Sequence, residues 1–345
     1  MSDEMTSNVV ARYVVEVAGH SLTQAEAGGL EVLSVEDHVD MVGVLKATVN
    51  YGGIDWSSIN IGDEVTAGFG GSSEPTFAGI VTGVRHHSSQ AGVEFVTVIA
   101  MDPLCKLRAS RRTKVYDEDA TDSDIVNTLL GEAGVDPGTV DSTSAANKYV
   151  IQRNESDLVF LKRLASRNGY LLLGNAEGKV DFKKVQYSGS AVELEQSVLM
   201  SFDYTISHQN VPTGITVLGW NYKDKVRVEG AATDGDIEDI GSGANAVAET
   251  GTIWQEDAYI SDVHVADDAA AKDMAIAELN RAARQFVRGR AVVQGSGEIR
   301  AGALVSFKNF ATGFNPEVFV VSSRHVVEGG IYTTEFQFVG NTLPV

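Results

Sequence analysis

The chain has 345 residues, with 47 acidic against 27 basic side chains and a formal charge of −20. That balance argues against gripping nucleic acid, which needs clustered Lys and Arg to displace counterions. One cysteine, Cys105, excludes an intrachain disulfide framework and a cysteine zinc site, and no run approaches the ~20 apolar residues that cross a bilayer.

Met1–Asn8 is polar and lacks the apolar core of a signal peptide, so assembly in the cytoplasm is expected. The 35 glycines against 6 prolines favour many tight turns, and turn-rich chains tend to be β-rich. Val9–Gly19 has strand composition, and Gly29–Asn50 reads as a long β hairpin. Asp55–Asn60 is a turn region carrying Trp56, and Gly62–Met101 supplies three further strands. Five or so strands joined by Gly and Ser turns predict a small antiparallel barrel over residues 1–108. Cys105, in the apolar run Pro103-Leu104-Cys105, reads as a buried thiol.

The pattern changes after Leu107. Thr121-Asp122-Ser123-Asp124 fits a capping box, and Ile125, Leu129 and Leu130 follow at helical spacing. Glu155–Asn168 predicts a second helix, with Leu158, Leu161 and Leu164 on a face that reads as core and Gly169 as its C-terminal cap. Tyr170–Leu173 and Lys179–Val185 make a hairpin, so residues 109–188 read as an α+β module. Strands return at Met200–Ile206 and Gly214–Tyr222. Glu229–Gly251 is rich in Gly, Ala and Asp and is expected to be an exposed loop that docks or lines. Asp267–Phe286 is an Ala-rich helix, and residues 189–345 as a whole predict a second barrel.

The end of the chain looks like its beginning. FAGIVTGVRH (Phe77–His86) aligns without a gap with PEVFVVSSRH (Pro316–His325). Arg85 and His86 fall on Arg324 and His325. Each segment follows a matching turn and strand, Gly62 with Val65 and Gly302 with Val305. One small β-domain used twice would let n copies build a ring of 2n similar units.

Glu155–Tyr170 resembles the helix-and-strand signature of the phage late control D family, which covers tail hub proteins of contractile-tailed phages and the hub portion of type VI secretion spike proteins. Asp157, Leu158, Phe160, Leu161, Leu164, Gly169 and Tyr170 carry the motif. Arg111–Leu130, Ala269–Phe286, Ser323-Arg324-His325 and Tyr332–Phe336 are similar to its flanking patterns. The resemblance implies an α+β, mainly β chain with two similar barrels flanking an α+β module. It further implies a homotrimeric baseplate hub of pseudo-six-fold shape, joining a tail tube or tube-initiator protein to a trimeric spike. Other baseplate proteins and the tape-measure protein are further expected partners. Because the chain stops at Val345 with no room for a spike, the spike is expected to be a separate polypeptide.

Other chemistry has weaker support. Adjacent His86 and His87 in a strand point to opposite faces and cannot easily share one metal ion. Asp117-Glu118-Asp119 and Asp234–Asp239 could mimic glycosidase carboxylates, which leaves a cell-wall glycan-degrading component as an alternative. A carbohydrate-binding tail component would need aromatics on one face, and Trp56, Trp220 and Trp254 are scattered. No nucleophile-elbow, zinc-protease, P-loop or dinucleotide motif is present, so no catalytic, cofactor or metal residue is assigned. The acidity reads as a means of solubility or, around a conduit, as a wall that repels DNA.

Overall fold

A computed structural model describes residues 13–22, 29–50, 58–70, 75–88, 92, 94–109, 111–116, 119–143, 150–261, 263–310 and 316–343. Trp56, Asp117, Glu118, Tyr149 and the start of the first expected strand, Val9 to Arg12, lie outside them. No helix among the described residues is long and apolar enough to cross a membrane.

The first part of the chain is β1 (Tyr13–Val17), β2 (His20–Ser21), β3 (Leu30–His38), β4 (Val44–Asn50), β5 (Glu64–Phe69), β6 (Phe77–Ser88) and β7 (Glu94–Met101). Their spatial order is β3-β4-β7-β6-β5-β1-β2. Alternation drives it: Leu45, Ala47 and Val49 on β4, and Val96, Val98 and Ala100 on β7, all point into one core.

The middle part contains a 3-10 turn at Pro103–Arg108, β8 (Arg111–Val115), α1 (Asp122–Glu132), β9 (Pro137–Val140), β10 (Ile151–Ser156), α2 (Asp157–Asn168), β11 (Tyr170–Gly174) and β12 (Val180–Lys184). β10 pairs with β8, and β11-β12-β9 form a second small sheet. Thr121 caps α1 in a reciprocal box with Asp124, as expected. The second helix starts two residues later than Glu155 because β10 runs through Ser156, whose hydroxyl accepts from the Val159 N–H at 3.4 Å. Cys105 is half-buried rather than buried, since it rides on the short 3-10 turn beside inward Leu104 and Leu107. Its thiol pKa is pushed up by that burial.

The last part runs through β13 (Ala191–Glu195), β14 (Leu199–Ile206), β15 (Gly214–Asn221), β16 (Val226–Ala232), α3 (Ala246–Gly251), β17 (Asp257–Ile260), α4 (Asp268–Ala283), β18 (Val287–Gln294), β19 (Leu304–Lys308), β20 (Glu317–Glu328) and β21 (Ile331–Gly340). Six of these strands continue the large sheet, in the order β14-β18-β21-β20 with β19 and β13 branching from β20. The two halves meet where β20 pairs antiparallel with β3, from Ser322 opposite His38 to Glu328 opposite Val32. They therefore share one curled 13-stranded sheet instead of standing as isolated barrels. Arg300 donates to Asp37 across this junction at 3.1 Å, and Phe69 of β5 stacks on Tyr332 at 5.0 Å.

The expected loop at Glu229–Gly251 is corrected at its two ends, while residues 233–245 between them form neither strand nor α-helix and are largely exposed. Val226–Ala232 forms β16, in a separate sheet ordered β16-β15-β17, and Ala246–Gly251 is helical. Gly230 is required here by packing. A Cβ on Gly230 would sit 2.1 Å from the backbone nitrogen of Lys272, because α4 lies directly against β16. Ile240 is fully buried, and its N–H donates to Asn341 Oδ1 at 2.8 Å. Asn280 of α4 accepts from the Glu238 N–H at 2.9 Å.

Candidate functional site

The two resembling segments occupy corresponding places in their hairpins. The Gly62 N–H donates to the Val81 carbonyl at 2.8 Å, and the Gly302 N–H to the Val320 carbonyl at 2.8 Å. Val81 returns a bond to Asp63 O at 2.8 Å, and Val320 to Ala303 O at 2.9 Å. Both glycines have positive φ, +101° and +89°, a conformation that disfavours a side chain. Val65 and Val305 are the second residues of the following strands and are buried. The pairing of β6 with β7 slips between Val81 and Gly83, and that of β20 with β21 slips between Val320 and Ser322. Past the slip, Arg85 faces Thr97 and Arg324 faces Glu335.

The correspondence extends beyond the hairpins. The order β3-β4-β7-β6-β5-β1 has its counterpart in β14-β18-β21-β20-β19-β13. β3 slips on β4 between Leu30 and Val32, and β14 slips on β18 between Leu199 and Ser201. Irregularities of this kind bend a strand at a defined point, so their recurrence gives both sets the same local curvature. One difference stands out: β1 runs antiparallel to β5, whereas β13 runs parallel to β19.

Equivalent positions have opposite surroundings. His86 is exposed and faces Val96. His325 is wholly buried, shares hydrogen bonds with Tyr332 Oη at 2.9 Å and Thr334 Oγ1 at 3.2 Å, and stacks on Phe69 at 5.3 Å. Burial, with Arg300 nearby, holds its pKa down at about 3, so the ring is neutral. Arg324 bridges to Glu36 of β3 at 3.3 Å.

The motif helix α2 is a structural element. Phe160, Leu161 and Leu164 are fully buried, and Leu158 packs beside them half-buried. Asp157 is buried and accepts from Arg112 Nη2 at 2.6 Å and Gln152 Nε2 at 2.8 Å. Tyr116 Oη donates to Gln152 Oε1 at 3.0 Å, closing the network. Gly169 ends the helix at φ +67°, 3.3 Å from the Ala277 Cβ of α4 for any added methyl. Tyr170 Oη donates to the Ser142 carbonyl at 2.9 Å and its ring lies 5.1 Å from Phe182.

Of the acidic residues at Asp234–Asp239, Asp236 is committed to local structure. Asp236 accepts from the Thr233 N–H at 3.0 Å and pairs with Lys272 at 3.5 Å. Trp220 on β15 and Trp254 in the connection between α3 and β17 are both partly exposed. Sequence reasoning missed β14 as more than a strand. Its Met200, Tyr204 and Ile206 are the signal, apolar side chains that the described residues leave exposed.

A family model described as the Alg8 N-terminal domain matches residues 60–329. No curated protein matches the chain. Among solved structures it is similar to a 43 kDa tail protein of prophage MuSo2 from Shewanella oneidensis, with TM-score 0.69 at 14% identity over 96% of this chain and 98% of that one. A tail protein from Neisseria meningitidis MC58 gives TM-score 0.71 at 14% identity, over 95% and 96% of the two chains. The E. coli c3393 protein, described as a component of the type VI secretion system with structural similarity to T4 tail proteins gp27 and gp5, gives 0.62 at 14% over 95% and 77%. These likenesses define a shared fold.

Proposed function

The chain belongs to the Alg8 N-terminal domain family, and from its tail-protein fold we propose that it is a structural hub in the baseplate of a contractile tail or injection particle. The observation that carries the proposal is the doubled strand order, six strands repeated within one chain with the same slips at the same places. Three copies of such a chain present six near-equivalent surfaces while keeping a true three-fold axis. The six surfaces would meet the tail tube or a tube-initiator protein, and the three-fold face would hold a trimeric spike. The module at residues 109–188, between repeats at 1–108 and 189–345, is left to contact other baseplate proteins. The tape-measure protein is a further partner at the ring.

The resemblance of Glu155–Tyr170 to the late control D family supports the same reading. So do relatives described as tail proteins and as a type VI secretion component. The role is geometric and non-enzymatic. Within Asp234–Asp239 the Asp236 carboxylate serves as a cap and an ion-pair partner, which supports assigning it no catalysis. Gly62, Val65, Arg85 and His86, with Gly302, Val305, Arg324 and His325, mark equivalent positions of the repeats. A formal charge of −20 suits the wall of a conduit that passes DNA without holding it.

The mass of the purified chain in native buffer at micromolar concentration tests the oligomer. Three chains per particle is the expected result. A stable monomer or dimer at every concentration and salt tried would count against the hub.

A further inference from the structure

Within one chain, β20 carries two neighbours on the same side. β19 pairs with it over Glu317–Phe319, and β3 then pairs with it over Ser322–Glu328. Its counterpart β6 has β5 on that side over Phe77–Ile80 only. Over Gly83–Ser88 no described strand takes the place of β3. At the other end of the sheet β14, the counterpart of β3, is the terminal strand. Among its open strand edges, one chain therefore presents those of β6 beyond Ile80 and of β14, which are counterparts of the two edges that it joins internally.

Burial follows the same division. Val35 on β3 is 1% exposed, whereas Tyr204 at the corresponding place on β14 is 38% exposed. Val327 on β20 is buried, whereas Ser88 at the corresponding place on β6 is exposed.

We infer that β6 of one copy pairs antiparallel with β14 of a second copy, in the register that β20 and β3 use inside the chain. Carrying that register across sets Gly83 opposite Ser207, Arg85 opposite Thr205, His87 opposite Asp203 and Ser88 opposite Phe202. Asp203 then lies opposite His87 and diagonal to Arg85, a complementary arrangement at the distances where cross-strand pairs interact. Open strand edges of matched length are templates for such addition. The contact is head-to-tail, so repetition closes a ring in which the junctions between chains copy the junction within each chain. The inference deepens the hub proposal and rests on it only for the number of copies.

The test uses the full chain carrying Cys105→Ser, with Arg85→Cys and Thr205→Cys added. Mild oxidation at micromolar concentration is expected to link chains into covalent multimers on a non-reducing gel. Moving the second cysteine to Ser201→Cys, four residues out of register, is expected to abolish the link. Absence of linked chains, or equal linking out of register or with either cysteine alone, overturns the pairing. A second measurement needs no cysteine. Asp203→Lys, at an exposed position, is expected to weaken self-association by about threefold or more, and adding Arg85→Glu to restore it. Unchanged association in both variants overturns the pairing. In-register linking with a mass other than three chains keeps the pairing and removes the trimer. Three chains without in-register linking does the reverse.

Discussion

Arg167→Ala is expected to destabilise the fold by about 3–5 kcal/mol, the cost of leaving a buried carboxylate without its cation. Asp122, at the start of α1, has a fully buried side chain, and Arg167, near the end of α2, clamps both its oxygens, with Nε to Oδ2 at 2.6 Å. Asn168 Nδ2 also donates to Oδ2 at 2.6 Å and would be the remaining partner. The pair ties the two helices of the middle module together across 45 residues of sequence. Chemical denaturation provides the measurement. Arg227→Ala is the comparison, since Arg227 and Glu229 are 62% and 51% exposed in their side chains and such pairs contribute at most ~1 kcal/mol. Equal losses for the two substitutions would contradict the role given to Asp122 and Arg167.

Acid is expected to weaken the sheet junction through His325. Its imidazole is held at about 3 in the folded protein, by burial first and Arg300 second, against 6.5 for an ordinary histidine. The depressed pKa means the unfolded chain takes up the proton first as pH falls. The stabilisation from the neutral ring is fully present above pH 6.5 and is lost as pH falls from 6.5 towards 3. A shift of this size corresponds to about 5 kcal/mol over that window. Carboxylates such as Glu132, whose pKa is lowered by Lys114 and Arg112, also lose stabilisation in acid. The difference between the parent chain and His325→Gln isolates the histidine. Unfolding free energies measured from pH 7 to pH 3.5 should fall more steeply for the parent chain, while parallel curves would contradict the assignment.

Local features were legible where one residue type does one job. The Thr121–Asp124 box and the Gly169 cap depend on backbone groups a few residues away, so sequence alone places them. The repeat was legible at Arg85-His86 and Arg324-His325 because the hairpin register is set by local turns. The opposite burial of the two histidines was not, since it depends on Phe69, Tyr332 and the strand β3 arriving from the far end of the chain. Glu229–Gly251 misled for a related reason. Gly230 resembles a loop glycine, yet it is small because α4 packs onto its backbone. The motif residues of α2 pointed to a family of tail proteins, but most of their side chains build a core. The edge of β14 carried no motif at all; it becomes visible only once the strand orders are compared.

The most direct test of the doubled hub is an averaged electron-microscopy view of the purified assembly down its axis. The account predicts a ring of six similar densities that resolves, with finer detail, into three identical pairs, each pair a single chain. A ring with an odd number of units, or three densities with no two-part likeness inside each, would contradict it.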